Sequence, residues 1–391
     1  VDEMTQQQPA TALGKGRAMD SAVAKLLDSD TLVTFRDGAR EAFLPGIPSP
    51  DNVRALRESG LLGLVVPQEF GGTGADAGQA NSVVEEVAAA DPSVAIMLYL
   101  HCCVVERIKE YGSAAQRAHW LPRVVDHRWL AASAWSEPGS TADKKKLATT
   151  AEPRGDASWR INGGKSFATS VTVADFLLVL VQLPPSDAGV GESGYGGKDQ
   201  ALVLVPAGTP GVDVAPEAHD LAGMRGSGTG TLRLDDVVVG QDAVLCAGEH
   251  TPRAIGLPHR LGLTLAAVSV GAARSAYELA VAAAEHRGLL AAADTRRRLA
   301  EMSVTVEAAR SMVTVLPTYG PQETAHLAYA AKVFASRASQ RVCRQVRGLL
   351  GSSGYMRGHD IHRISLDAEA VAHMGPPNHL CVDLLAARLE H

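Results

Sequence analysis

Trp135-Ser136-Glu137-Pro138-Gly139-Ser140-Thr141-Ala142-Asp143 gathers an aromatic ring, a carboxylate, a Pro-Gly turn and several short hydroxyls into one stretch. A turn of that composition aims backbone N–H groups and hydroxyls toward one side, which suits a planar ligand with polar edges. A second stretch, Gly164-Lys165-Ser166-Phe167-Ala168-Thr169-Ser170, follows the alternating Trp159-Arg160-Ile161-Asn162-Gly163 and offers Phe167 as a ring to stack and Thr169 as a hydroxyl. Trp135 and Phe167 taken alone read as ordinary core aromatics between strand and turn. Their wider setting changes that reading.

Elements of two periods must position these stretches. From about Ala18 to Ile108 apolar residues recur at helical spacing, interrupted by the loop Gly71-Gly72-Thr73-Gly74. Asp91 reads as the N-cap of a helix and Pro92 as its first residue. Between roughly Leu130 and Val244 the period shifts toward two, with strands expected over Phe176 to Val181, Ala201 to Val205 and Thr231 to Val239. Pro184 to Gln200, rich in Gly, Ser and Asp, reads as a mobile surface hairpin loop. From Leu257 the chain is helical again, with helices expected over Leu261 to Arg287, Arg296 to Leu316 and Glu323 to Leu350.

Composition excludes several classes. A chain of 391 residues with 46% hydrophobic and 20% charged content supports two or three packed domains. A net charge of −6 with no basic stripe argues against nucleic acid. The longest apolar runs, such as Leu177-Leu178-Val179-Leu180-Val181, are too short to span a bilayer. The cysteines at 102, 103, 246, 343 and 381 lack metal-ligand spacing or a disulfide framework, so no metal is expected and a reducing, cytoplasmic setting is.

At these residues the sequence resembles the acyl-CoA dehydrogenase superfamily of flavoproteins. The resemblance rests on Ser136-Glu137-Pro138-Gly139, Gly164-Lys165-Ser166-Phe167-Ala168-Thr169 and Ala174-Asp175. It continues in order through Val66-Pro67-Gln68-Glu69-Phe70-Gly71-Gly72, Ala90-Asp91-Pro92-Ser93, Gly223-Met224-Arg225-Gly226-Ser227-Gly228-Thr229 and Leu350-Gly351-Ser352-Ser353-Gly354-Tyr355. It implies an α+β fold: an N-terminal α-helical domain over residues 1–128, a central β-barrel or sandwich over 129–248, and a C-terminal four-helix bundle over 249–388. It also implies FAD, with FMN or a diffusible reduced flavin as alternatives, bound through Trp135, Ser136, Phe167, Thr169, Gly351 and Gly354. Ala142, Arg225, Met374 and Gly375 are the substrate-binding candidates. The resemblance further implies a homodimer or homotetramer, with a flavin reductase or electron-transfer protein as partner.

Members of the family remove an α-proton with a carboxylate near the C-terminus while a hydride passes from the β-carbon to the flavin. Here that region reads Leu366-Asp367-Ala368-Glu369-Ala370-Val371-Ala372-His373-Met374-Gly375, and Gly375 falls where the base belongs. Glycine has no proton acceptor in its side chain. The alternative position of the glutamate, at the start of the C-terminal bundle, falls on Leu261. His101, at the end of Val94 to Leu100, is the replacement candidate for the catalytic base, with His373 and His379 flanking the gap. Glu369 is expected to face the site only if the loop is rearranged. Three functions follow: oxidation of an acyl thioester, on CoA or a carrier protein, with a displaced base; hydroxylation by a reduced-flavin monooxygenase; and a catalytically silent subunit paired with an active homologue.

Overall fold

The computed structural model describes residues 19–139, 142, 144–184 and 196–390. Ser140, Thr141, Asp143 and most of the expected hairpin loop after Pro184 lie outside them.

The N-terminal part runs α1 (Ser21–Ala24), α2 (Ser29–Phe43), α3 (Pro50–Glu58), α4 (Ala77–Ala90), α5 (Pro92–Tyr111) and α6 (Ala114–Asp126). Asp91 caps α5 as expected: its carboxylate accepts from Ser93 N at 2.8 Å, and Pro92 occupies the first turn, where no N–H is needed. The other carboxylate oxygen accepts from Asn52 Nδ2 at 2.8 Å, so the same residue ties α5 to α3.

The strands follow as β1 (Ala131–Ala134), β2 (Thr150–Pro153), β3 (Ser158–Ala168), β4 (Phe176–Gln182), β5 (Gln200–Pro206), β6 (Val212–Val214), β7 (Gly230–Gly240) and β8 (Val244–Ala247). They form one sheet in the order β6-β7-β3-β2-β4-β5-β8, with β1 parallel to β4. β4 and β5 are apolar without alternation because both faces are covered. Successive side chains divide between two cores: Phe176, Leu178 and Leu180 pack with the helices, while Leu177, Val179 and Val181 pack with Ile161, Leu232 and Val237. Because strands from both ends of the sheet line that second core, the sheet curls over it.

The C-terminal part holds α7 (His250–Leu261), α8 (Ala266–His286), α9 (Ala293–Val315), α10 (Pro321–Leu350), α11 (Asp360–Ala370) and α12 (Asn378–Ala386). α8 begins later than the sequence pattern suggests, since Gly262, at φ +87°, closes α7 in the left-handed region. Gly271 lets α8 meet α4, for a Cβ there would fall 2.4 Å from Glu85 O and 2.5 Å from Ala88 Cβ. No described helix is long and apolar enough to cross a membrane.

Candidate functional site

The two polar stretches meet. Ser166 N donates to Ser136 O at 2.8 Å, and the Lys165 ammonium lies 2.6 Å from Glu137 Oε1, both side chains almost wholly buried. Glu137 also accepts from Ala148 N at 2.5 Å and Thr149 N at 3.1 Å, so its carboxylate is fully engaged. Burial alone would raise the Glu137 carboxyl, but Lys165 and these N–H donors hold it below its ordinary value. Burial draws Lys165 down to about 8, the paired carboxylate limiting the fall. The pair is a clamp between the segments, and a buried charge so matched is costly to break from either side.

Above the clamp opens a cavity of about 650 Å³. Its floor is Ser133, Trp135, Ser136, Phe167, Thr169 and Thr229 from the β domain. Ile96, Tyr99, Cys103 and Arg107, spaced three or four residues apart, present one face of α5 to it. Ile255, Pro258 and His259 of α7 continue that wall, and Leu366, Glu369 and Ala370 of α11 with His373, Met374 and Gly375 close the opposite side.

Several features of the lining ask for a ligand. Ser227, Thr229 and Thr169 form a hydroxyl chain, with oxygens 2.8 and 3.2 Å apart. Ser133 Oγ, Trp135 Nε1 and His259 Nδ1 are buried without a hydrogen-bond partner among the described residues, a costly state that a polar group could relieve. Phe167 is 62% exposed, at φ +53°, although it is aromatic. Arg107 organises the inner wall: Pro258 cannot donate within α7, and Arg107 Nε donates to the freed Ala254 O at 2.8 Å. Its guanidinium also donates to Ile255 O and lies 4.7 Å from the centroid of the Trp135 ring. Burial brings the imidazole of His259 down to about 3, with Arg107, Lys332 and Arg260 adding to the fall, so that side chain is neutral.

Of the residues singled out in the sequence, Trp135, Ser136, Phe167, Thr169, Met374 and Gly375 line this one cavity. His101 is not among them. It is fully buried away from the cavity, with Nε2 2.9 Å from Leu62 O and Nδ1 accepting from Ala131 N at 3.0 Å. Both ring nitrogens are occupied, and burial draws its pKa to about 4, so it joins α5 to β1 instead of acting as a base. Arg225 is also structural, donating to Phe43 O, to Leu44 O at 3.1 Å and to Leu221 O at 2.5 Å. Ala142, Leu261 and His379 do not line the cavity, nor do Gly351 and Gly354 at the end of α10.

Glu369 reverses the opposite way. It lines the cavity without any rearrangement, because α11 gives way after Ala370 to a tight turn, Val371–His373, that keeps Glu369 and His373 on one wall. The sequence reading missed Tyr99, Arg107 and His259. The spacing of Tyr99, Cys103 and Arg107 on α5 was the available signal, whereas the role of α7 depended on its position in space.

The α-β-α architecture and this cavity define a flavin-dependent oxidoreductase fold of the acyl-CoA dehydrogenase kind. Its residues fit a flavin: buried polar atoms lack partners, a hydroxyl chain lines the floor, and an aromatic ring stands open at the mouth. Models of the acyl-CoA dehydrogenase N-terminal, middle and C-terminal domains match residues 18–128, 132–237 and 260–389. Cyclohex-1-ene-1-carbonyl-CoA dehydrogenase of Syntrophus aciditrophicus is 30% identical over 382 residues, covering 94% of this chain and 86% of that protein. The glutaryl-CoA dehydrogenase of Desulfococcus multivorans is 27% identical, covering 87% and 88% respectively. The chain belongs to the acyl-CoA dehydrogenase family. Among solved structures, butyryl-CoA dehydrogenase from Megasphaera elsdenii superposes with a TM-score of 0.85 at 23% identity, covering 96% of this chain and 99% of that one. FMN-bound TdsC from Paenibacillus sp. A11-2, a dibenzothiophene monooxygenase, gives 0.83 at 23% identity, covering 95% and 97%.

Proposed function

We propose that this chain oxidises an acyl thioester, on CoA or a carrier protein, with Glu369 as the base that takes the α-proton. One observation carries the reading: Glu369, solvent-exposed at the end of α11, lines the same cavity as Gly375, Trp135, Ser136, Phe167 and Thr169. The missing side chain at position 375 leaves room for a carboxylate that arrives from the end of α11 instead. A bound flavin supplies the acceptor for the hydride that leaves the β-carbon as the α,β double bond forms. Trp135, Ser136, Phe167 and Thr169 would hold the flavin in the cavity, while Gly351 and Gly354, outside it, would serve the adenine half of FAD. Met374 and Gly375 bound the thioester end. In this reading the protein works as a homodimer or homotetramer and passes its electrons to an electron-transfer partner.

A reduced-flavin monooxygenase is the second reading. The glycine at position 375 and the likeness of the whole fold to FMN-bound TdsC favour it.

The test is an anaerobic titration of the flavin-reconstituted protein with an acyl-CoA panel. Bleaching of the flavin absorbance is expected, and Glu369→Gln should slow it by at least about a hundredfold while flavin still binds. Unchanged bleaching in Glu369→Gln removes that residue as the base. No bleaching, with oxygen consumed only when reduced flavin is supplied, favours the monooxygenase.

A further inference from the structure

Phe167 occupies an unusual place for an exposed aromatic. β3 pairs Lys165 with Leu232 of β7 and then Ala168 with Gly230, so β3 carries one more residue than its partner across this interval. Such a bulge re-aims a side chain, and here it coincides with the left-handed φ of +53° at Phe167. The bulge takes the ring out of the regular alternation of the strand and places it at the cavity mouth, 62% exposed.

One side chain braces that arrangement. The imidazole of His219 stacks on Phe167 with ring centroids 4.7 Å apart and planes inclined by 33°. The same imidazole receives a long hydrogen bond from Phe167 N, at 3.4 Å to Nε2, while Thr231 Oγ1 lies 3.2 Å from that nitrogen. His219 is itself fixed to the residue that precedes β7: its backbone N donates to Thr229 O at 2.8 Å. The residues that follow it, Leu221, Ala222 and Gly223, line the cavity. Gly223 is pressed against α11, where a Cβ would come within 2.2 Å of Leu366 O, and Met224 N donates to Asp367 Oδ1 at 2.7 Å. The segment holding His219 is therefore anchored at both ends.

We propose that His219 is a positioning residue for the flavin face: by stacking on the Phe167 ring and accepting from its backbone N–H, it holds that ring over the flavin plane. This rests on the reading of the cavity as a flavin site. His219 touches neither substrate nor reacting atoms in this account. It fixes an exposed ring in a backbone conformation that the ring would not keep alone.

The test compares wild-type protein with His219→Ala, His219→Phe and His219→Asn, titrating each with FMN and with FAD and following quenching of flavin fluorescence. His219→Ala should weaken binding about three- to tenfold and reduce the quenching at saturation, the size expected for one lost aromatic stack. His219→Phe should restore most of the affinity, and His219→Asn, which keeps a polar acceptor without a ring, should not. Near-UV circular dichroism verifies that each variant is folded. Equal affinity and quenching in wild type and His219→Ala would overturn the proposal and leave the flavin reading intact. A wild-type protein that binds neither flavin would overturn both.

Discussion

His101 shows how one side chain can satisfy chemistry that looks catalytic and yet be structural. Its Nδ1 accepts from Ala131 N and its Nε2 faces Leu62 O, an arrangement that requires the neutral ring with the proton on Nε2. Protonation at Nδ1 would break the bond to β1 inside a fully buried site. Burial accordingly depresses the pKa from 6.5 to about 4, so the stabilisation is fully present above pH 6.5 and is lost as pH falls through 4. Acidification across that window should cost on the order of 3 kcal/mol through this residue. Urea unfolding at several pH values checks it: His101→Gln should have a shallower pH slope than wild type, and an identical slope would show that the imidazole does not titrate with unfolding. Glu369 is the converse case, a residue whose neighbours in sequence suggest an outward position and whose place in the cavity wall gives it a chemical role to test.

Helices and strands carry the next level of argument. α7 contains Pro258, which removes one intrahelical donor, and the orphaned Ala254 carbonyl is met by Arg107 from α5. The same arginine lies against Trp135, so a helix missing one internal hydrogen bond, a buried cation and a ring of the cavity floor are positioned together. At the α4–α8 contact the limiting element is Gly271, which has no room for a methyl group between Glu85 O and Ala88 Cβ. Gly271→Ala should force these helices apart and lower stability by about 1–3 kcal/mol, despite the better helix propensity of alanine. Thermal unfolding measures this; a variant as stable as wild type would mean the contact can relax freely.

At the scale of the whole molecule, the large core runs without interruption from α2 through α5, along one face of β4 and β5, and into α8, α9 and α10. The smaller core lies on the other face of the same strands, so no strand of the central pair can leave one core without exposing the other. The Met224–Asp367 bond and the Asn52–Asp91 bond reinforce the junctions with α11 and α3. Calorimetry should therefore give a single cooperative transition, whereas a separate β-domain transition would show that β4 and β5 do not couple the two cores.

The order of helical and strand segments was legible in the sequence because each period follows from local geometry. Residues near one another in the chain reported on shared structure: Asp91-Pro92 on a helix start, and Trp135-Ser136 with Phe167 to Thr169 on parts of one ligand cavity. Those signals work over a few residues, where backbone conformation and side-chain chemistry are directly linked. The site itself was decided elsewhere. Whether a titratable side chain meets the cavity depends on which helix face packs inward, and that is set by contacts between residues far apart in the chain. Thus His101 was taken into the core by Leu62 and Ala131, Arg225 was engaged by the end of α2, and Glu369, though exposed, was brought to the cavity rim by the placement of α11. The same is true of His219, which no local pattern connects to Phe167 and which only the pairing of β3 with β7 brings under that ring.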